Sequence, residues 1–340
     1  MASALTNTAA TKLILKPSIT LKGQGRVIES IYYFPDGQRM ISGSGDKTAR
    51  QWDLQAGKEI EEARGVCERS VQAVAVSTNS RWVATGGGDW DMKDAELKVC
   101  EVETGFVKTL KGHSLPITCI DISEDNTRLV SGSWDKTARI WNLDTGELVA
   151  RPLKCEDAVC AVRFSPDSKK LAVMSNWGTC LEVWDVQSHK LDVKVGDFDR
   201  SLSTYSPVFW TKNNKHIIAA FTGDDDTIHK FDASTLETVG TPFKGHTKEV
   251  TGLALSFDDV LLASASFDDT IKLWAFESRQ LLASFDVQDI FKLVFSPDSR
   301  HLAYTTYTTD DSKICICDTP SDVLAQARVR ILPKHVLFVR

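Results

Sequence analysis

The chain is 340 residues long and 42% hydrophobic, with 40 basic against 46 acidic side chains and a formal charge of −6. Binding a phosphate backbone needs a concentrated positive face, so nucleic acid is excluded as the main partner. Residues 1–10 have neither the basic start nor the apolar run of a secretory signal, and nothing later reaches the length of a membrane span; the expectation is an intracellular protein, cytoplasmic or nuclear, with eight reduced cysteines.

Residues 1–18 show no heptads that would support a coiled-coil partner. The first strand signal, Ser18-Ile19-Thr20-Leu21-Lys22-Gly23, matches Val107-Lys108-Thr109-Leu110-Lys111-Gly112 in the last-strand position of a repeat, yet no three strands precede it. Seven strand patterns then end in Trp-Asp or a stand-in: Trp52-Asp53, Cys100-Glu101, Trp141-Asn142, Trp184-Asp185, Phe231-Asp232, Trp274-Ala275 and Cys317-Asp318. Their spacing averages about 44 residues, the period of one four-stranded propeller blade, so the repeat overrides the two-domain expectation of the length. The third repeat shows the internal order. Residues 117–123 alternate as an inner strand, 124–126 turn, 129–133 form a second strand, 135–137 turn, 138–141 form a third, and 148–153 form the outer one. The sixth repeats this register over 250–256, 261–266, 271–274 and 280–285.

Gly112-His113 and Gly245-His246 open repeats, and Lys22-Gly23-Gln24 is a near miss for a third. With these pairs in phase, residues 19 to 318 resemble the WD-repeat (beta-transducin-like) family and are similar to fungal WD-repeat proteins. The resemblance implies an all-β fold, a seven-bladed β-propeller of four-stranded antiparallel blades closed by an N-terminal strand. Residues 1–17 would be an N-terminal segment, 18–318 the propeller with 18–22 completing the last blade, and 319–340 a C-terminal tail. The tail's runs at 329–332 and 335–339 fit either an outer edge or the underside of the ring.

The resemblance also implies a hydrogen-bonded tetrad at His113, Ser131, Asp135 and Trp141, and another at His246, Ser264, Asp268 and Trp274. Partial sets remain at Ser42, Asp46 and Trp52, with Gln24 in the histidine slot, and at Thr85 and Asp89, with Cys67 and Cys100 replacing histidine and tryptophan. Blades 4, 5 and 7 lack most of the set, and Gly178 takes the turn aspartate's place in blade 4. A Ser-His-Asp catalytic triad is the competing reading. Against it, the pattern recurs in two blades, decays in others, and places its serine in a strand with no nucleophile elbow.

Residues just before the turn aspartate face one rim of the disc. Trp134, Phe267 and Trp177 are assigned to that slot, and an insertion after Asp89 adds Trp90, so Trp90, Trp134 and Trp177 form an arc on adjacent blades. Solvent-facing tryptophans favour interface anchoring. Asp224, Asp225 and Asp226, with Asp310 and Asp311, make an opposite acidic arc without calcium-loop spacing. Cys315 and Cys317 alternate on a strand and read as packing, because no partner pair lies at zinc-site spacing. The expected function is a non-catalytic scaffold or adaptor for a protein or peptide partner. No cofactor, metal, membrane or small-molecule substrate is expected. A ligand-sensing or regulatory module of a signalling assembly is the alternative, and a propeller enzyme is disfavoured.

Overall fold

The computed structural model describes residues 14–89, 95–196, 207–221, 227–308 and 312–329. Among them seven antiparallel sheets form the blades of a β-propeller, six with four strands and one with three. The inner strands are Ile28–Tyr33, Val71–Val76, Ile117–Ile122, Ala161–Phe164, Val208–Trp210, Val250–Leu255 and Ile290–Phe295. Together they surround a central channel of about 150 Å³. Lys292 and Glu29 lie in its wall, where burial lowers the affinity of the lysine for its proton and raises that of the glutamate. No helix among the described residues is long and apolar enough to cross a membrane.

Closure follows the sequence expectation. The strand Ile19–Lys22 pairs antiparallel with Lys313–Asp318, in the register Ile19 to Ile316 and Lys22 to Lys313, as the outer strand of the seventh blade. Leu21 is buried with Ile314 and Ile316 against Ile31, Met40 and Trp52 of the first blade. The chain's beginning is thus sewn into its end.

A second set of links runs around the rim of turns between inner and second strands. In five successive blades the backbone N–H of one turn donates to the next blade's turn: Asn79 to Asn126, Asp125 to Ser168, Asp167 to Asn214, Lys212 to Asp259, and Phe257 to Ser299, over 2.8 to 3.3 Å. Each acceptor side chain belongs to the turn residue held at positive φ, between 54° and 60°. In the first blade that residue is Gly37, which has no side chain to accept. The junction with the seventh blade therefore relies on the exchanged N-terminal strand.

Blade spacing is set by what the second strand leaves out. A Cβ on Gly132 would come within 2.5 Å of Val159, just before the next inner strand, and one on Gly86 within 2.8 Å of Ile117. These glycines admit a branched residue from the neighbouring blade, and the clusters that result are shared between adjacent blades, as where Ala73, Leu97 and Trp82 meet Ile117, Leu129 and Trp141.

Two features depart from the sequence expectation. The third blade's outer strand is reduced to Leu153–Lys154 plus a bridge between Trp141 and Leu148. The fifth blade's outer position is held only by the bridges Phe231 to Thr238 and Ile228 to Phe243. Pro152 and Pro242 sit in these segments without an N–H to continue the ladder. In the tail, a helix that the sequence reading did not foresee, Ser321–Val329, takes in the first residue of the run at 329–332 and buries Val323 and Ala327 near the sixth blade, with Arg328 on Asp258 at 3.3 Å. The rest of that run, 330–332, and the run at 335–339 lie outside the described residues.

The glycine gap gives the first prediction. Gly132→Ala forces a methyl into Val159 and should destabilise the fold by about 1 to 3 kcal/mol, read from denaturant midpoints. An unchanged midpoint would show that the blades part without cost.

Candidate protein-binding face

In the third blade Trp141 Nε1 donates to Ser131 Oγ at 2.9 Å. His113 Nε2 lies 2.8 Å from the same oxygen, and its Nδ1 lies 2.7 Å from Asp135 Oδ2. The indole can only donate and the carboxylate only accept, so the proton order is fixed: serine gives its hydrogen to Nε2, and Nδ1–H gives to Asp135. The sixth blade repeats the set with Trp274 to Ser264 at 2.9 Å, Ser264 to His246 at 2.7 Å and His246 to Asp268 at 2.9 Å. Asp135 also accepts from the Ser114 and Thr137 backbone N–H groups and the Thr137 hydroxyl, and so ties the loop entering the inner strand to the turn leaving the second.

This is the hydrogen-bond order of a serine hydrolase, without its access. Ser131 and Ser264 have no exposed surface. Each serine oxygen is already engaged by indole and imidazole, so no substrate carbonyl can reach it. A second outlet for the same polar atoms is structural satisfaction in a buried site.

Elsewhere the network is replaced. In the first blade Trp52 still donates to Ser42 at 2.8 Å, and Asp46 holds the Gly25 N–H at 2.8 Å. Both amide atoms of Gln24, in the histidine slot, are buried without a hydrogen-bond partner. In the second blade Cys67 lies 3.9 Å from Thr85, Asp89 turns to Arg69 at 2.9 Å, and Cys100 contacts the Glu101 carbonyl instead of joining them. In the fourth, a residue that the sequence reading missed takes over. Glu182, 2% exposed, accepts the Trp184 indole at 2.8 Å and the Ser175 hydroxyl at 3.0 Å. The signal was present as a lone carboxylate two residues before Trp184, where the third blade has Arg139.

On the rim above the tetrads, Trp134 and Phe267 stand at equivalent places. The N–H of Trp134 donates to the Pro116 carbonyl and that of Phe267 to the Glu249 carbonyl. Both side chains are half-buried, not fully solvent-facing as expected, and the indole nitrogen of Trp134 is covered. Counting from Ser133, Ser266 and Ser175, the matching slot in the fourth blade belongs to Asn176. Trp177 lies one residue further round a 3-10 turn, Asn176–Gly178, because this turn is one residue longer. Asn176 and Gly178 there have φ of 50° and 84°. The same count places Tyr307, 47% exposed, in the seventh blade's slot, a rim aromatic that the sequence reading did not single out because no turn aspartate follows it. Trp90, Asp224, Asp225, Asp226, Asp310 and Asp311 lie outside the described residues, as does the side chain of Trp177.

The family model for the WD domain, G-beta repeat, matches residues 15–53, 105–142 and 236–275. These three stretches of the chain are WD repeats, and they fall in the propeller described above. It is 26% identical over 315 residues to Periodic tryptophan protein 2 of Saccharomyces cerevisiae, covering 79% of this chain and 31% of that protein. A guanine nucleotide-binding protein subunit beta of Nicotiana plumbaginifolia is 26% identical over 263 residues, 75% of this chain and 58% of that one. Cell division cycle 20.1, cofactor of APC complex, from Arabidopsis thaliana is 23% identical over 269 residues, 75% and 56% respectively. The chain thus spans less than two thirds of these relatives' length. With Ser131 and Ser264 sealed, neither tetrad is arranged as a hydrolytic site.

Two tests follow. Gln24→His offers Ser42 and Asp46 the missing ring and should stabilise the protein by about 1 kcal/mol in thermal or denaturant unfolding; a loss of stability would mean that the first blade does not hold a latent tetrad. The second test is acid unfolding. Burial would raise the Asp135 pKa, but hydrogen bonds and the charge of His113, with those from Thr137 and Ser114, bring it to about 2. A folded pKa below the unfolded value of about 3.9 contributes stability above that value and loses it as pH falls toward 2. Asp135→Asn should therefore unfold more easily at neutral pH yet lose less stability between about pH 4 and pH 2. Parallel curves for variant and wild type would count against this ionised acceptor.

Proposed function

We propose that the chain is a protein-interaction platform, a scaffold or adaptor that holds a protein or peptide partner on the rim bearing the turns between second and third strands. The observation that carries this reading is Trp134, an aromatic anchor standing directly beside a turn that its tetrad pins. A rigid aromatic loses little freedom when a partner covers it, and such residues dominate interface energies. Trp90 and Trp177 belong to the same proposed arc, and Asp224, Asp225 and Asp226 to its acidic counterpart. A cytoplasmic or nuclear setting suits eight free thiols.

A second reading, a regulatory module within a larger assembly, draws on one fact: the relatives extend well beyond the part that matches. It uses the same rim.

The experiment pairs thermal melts with partner capture for Trp134→Ala and Trp177→Ala. A binding role predicts nearly unchanged melting and a loss on the order of 2 kcal/mol or more in partner affinity. Early melting with every partner retained assigns the tryptophans to shielding the tetrad and rejects the arc.

A further inference from the structure

The rim is not uniform, and one corner of it combines exposed aromatic surface, unneutralised carboxylates and unsatisfied hydroxyls. Between the sixth and seventh blades the Asp289 N–H donates to Asp269 Oδ1 at 3.0 Å, and the Tyr307 N–H donates to the Asp289 carbonyl. The Tyr307 backbone is thereby tied to the loop that carries Asp289 and, through it, to Asp269; its ring lies edge-to-face with the buried Phe291 at 5.1 Å, and the residue is 47% exposed. Asp269 and Asp289 are both exposed, and neither is in an ion pair among the described residues. Phe267, two residues before Asp269, adds a second ring.

An independent observation lies beneath Tyr307. Ser44, Ser133 and Ser266 end the second strands of their blades and donate to the loop entering the inner strand, at the carbonyls of Arg26, Leu115 and Lys248. Thr306 occupies that place in the seventh blade, facing the loop that carries Asp289. It is 6% exposed, and its hydroxyl has no hydrogen-bond partner. The Thr308 hydroxyl, on the other side of Tyr307, is also buried without one. Buried polar groups are ordinarily satisfied, so this pair leaves hydrogen-bonding capacity unused on both sides of Tyr307.

We propose that this corner, built from Phe267, Asp269, Asp289 and Tyr307, binds an arginine-bearing basic segment of a protein partner. A guanidinium matches it on three counts. Its plane stacks on an aromatic face, its fork of N–H groups bonds carboxylates, and its weak hydration makes burial cheaper than for an ammonium. The rim position of Trp134 offers no such set: its turn carries Lys136, paired with Asp157, where the sixth blade has Asp269, and its turn hydroxyl, Ser133, is already bonded.

The inference rests on the rim being a partner-binding face, and the test separates the two. Protein labelled with 3-fluorotyrosine gives one fluorine signal for each of its five tyrosines, and Tyr307→Phe assigns the one from this corner. Titration with a hexa-arginine peptide is expected to shift that signal saturably, and hexaglutamate to leave it in place. Asp269→Asn combined with Asp289→Asn should weaken the arginine peptide about tenfold or more with the tyrosine signals otherwise unchanged, which verifies folding. An unmoved Tyr307 signal, or a folded double variant that binds as well as wild type, overturns the proposal. If partner capture depends on Trp134 while the peptide ignores the corner, the corner falls and the platform stands. If the peptide binds the corner as described but wild type captures no protein, the corner's chemistry stands and the platform reading falls.

Discussion

A ring of blades has to close, and in this chain closure is a strand exchange between the two ends. Every other feature presupposes it. Glycines that let neighbouring blades approach, turn hydrogen bonds that pass from blade to blade, and a channel framed by seven inner strands all require a fixed number of blades in a fixed order. The turn-to-turn bonds run from the second blade to the seventh and then meet Gly37, where no acceptor side chain exists. That gap falls at the seam where Ile19–Lys22 pairs with Lys313–Asp318. Backbone pairing across the seam does what a single side chain does elsewhere, and it buries Leu21 between the two blades as well.

Given the ring, the polar network decides which parts of the rim are firm. Each complete tetrad joins an inner-strand loop, a second strand, a turn and a third-strand tryptophan through one serine oxygen and one carboxylate. The third and sixth blades have this arrangement. The fourth substitutes a carboxylate of its own, Glu182, which accepts from Trp184 directly and needs no histidine. The first keeps tryptophan and serine but leaves an amide stranded. Polar satisfaction is therefore uneven around the disc, and the blades that lack it depend on apolar packing between neighbours. Catalysis has no foothold in the complete sets, since the same bonds that order the histidine also bury the serine.

The sequence made the architecture legible because the repeat is a count. A period near 44 residues and an orphan strand before it suffice to place seven blades and their closure, without reference to any side-chain contact. The tetrads were legible for a related reason: four residue types recur at fixed offsets. What could not be read is what breaks the offset. One extra turn residue moves Trp177 out of the slot that Trp134 and Phe267 fill and puts Asn176 there. Prolines 152 and 242 shorten outer ladders that the alternation pattern alone extends. Glu182 was hidden because it stands where other repeats carry a basic residue, and Tyr307 because no aspartate follows to flag its turn. The helix Ser321–Val329 is stabilised by a surface that exists only once the sixth blade has formed, so its weak local pattern gave no warning.

These departures bear directly on function. Where the repeat is strict, side chains satisfy one another and the rim is firm, as at the turn beside the half-buried Trp134. Where it decays, polar groups lose their internal partners. The seventh blade shows the extreme: the turn aspartate is gone, two threonine hydroxyls lie buried without partners, and the aromatic residue between them is nearly half exposed. Decay costs stability at that blade, and the N-terminal strand that completes the same sheet offsets it with a full set of backbone bonds. The blade best able to tolerate an unsatisfied rim is thus the one that closes the ring.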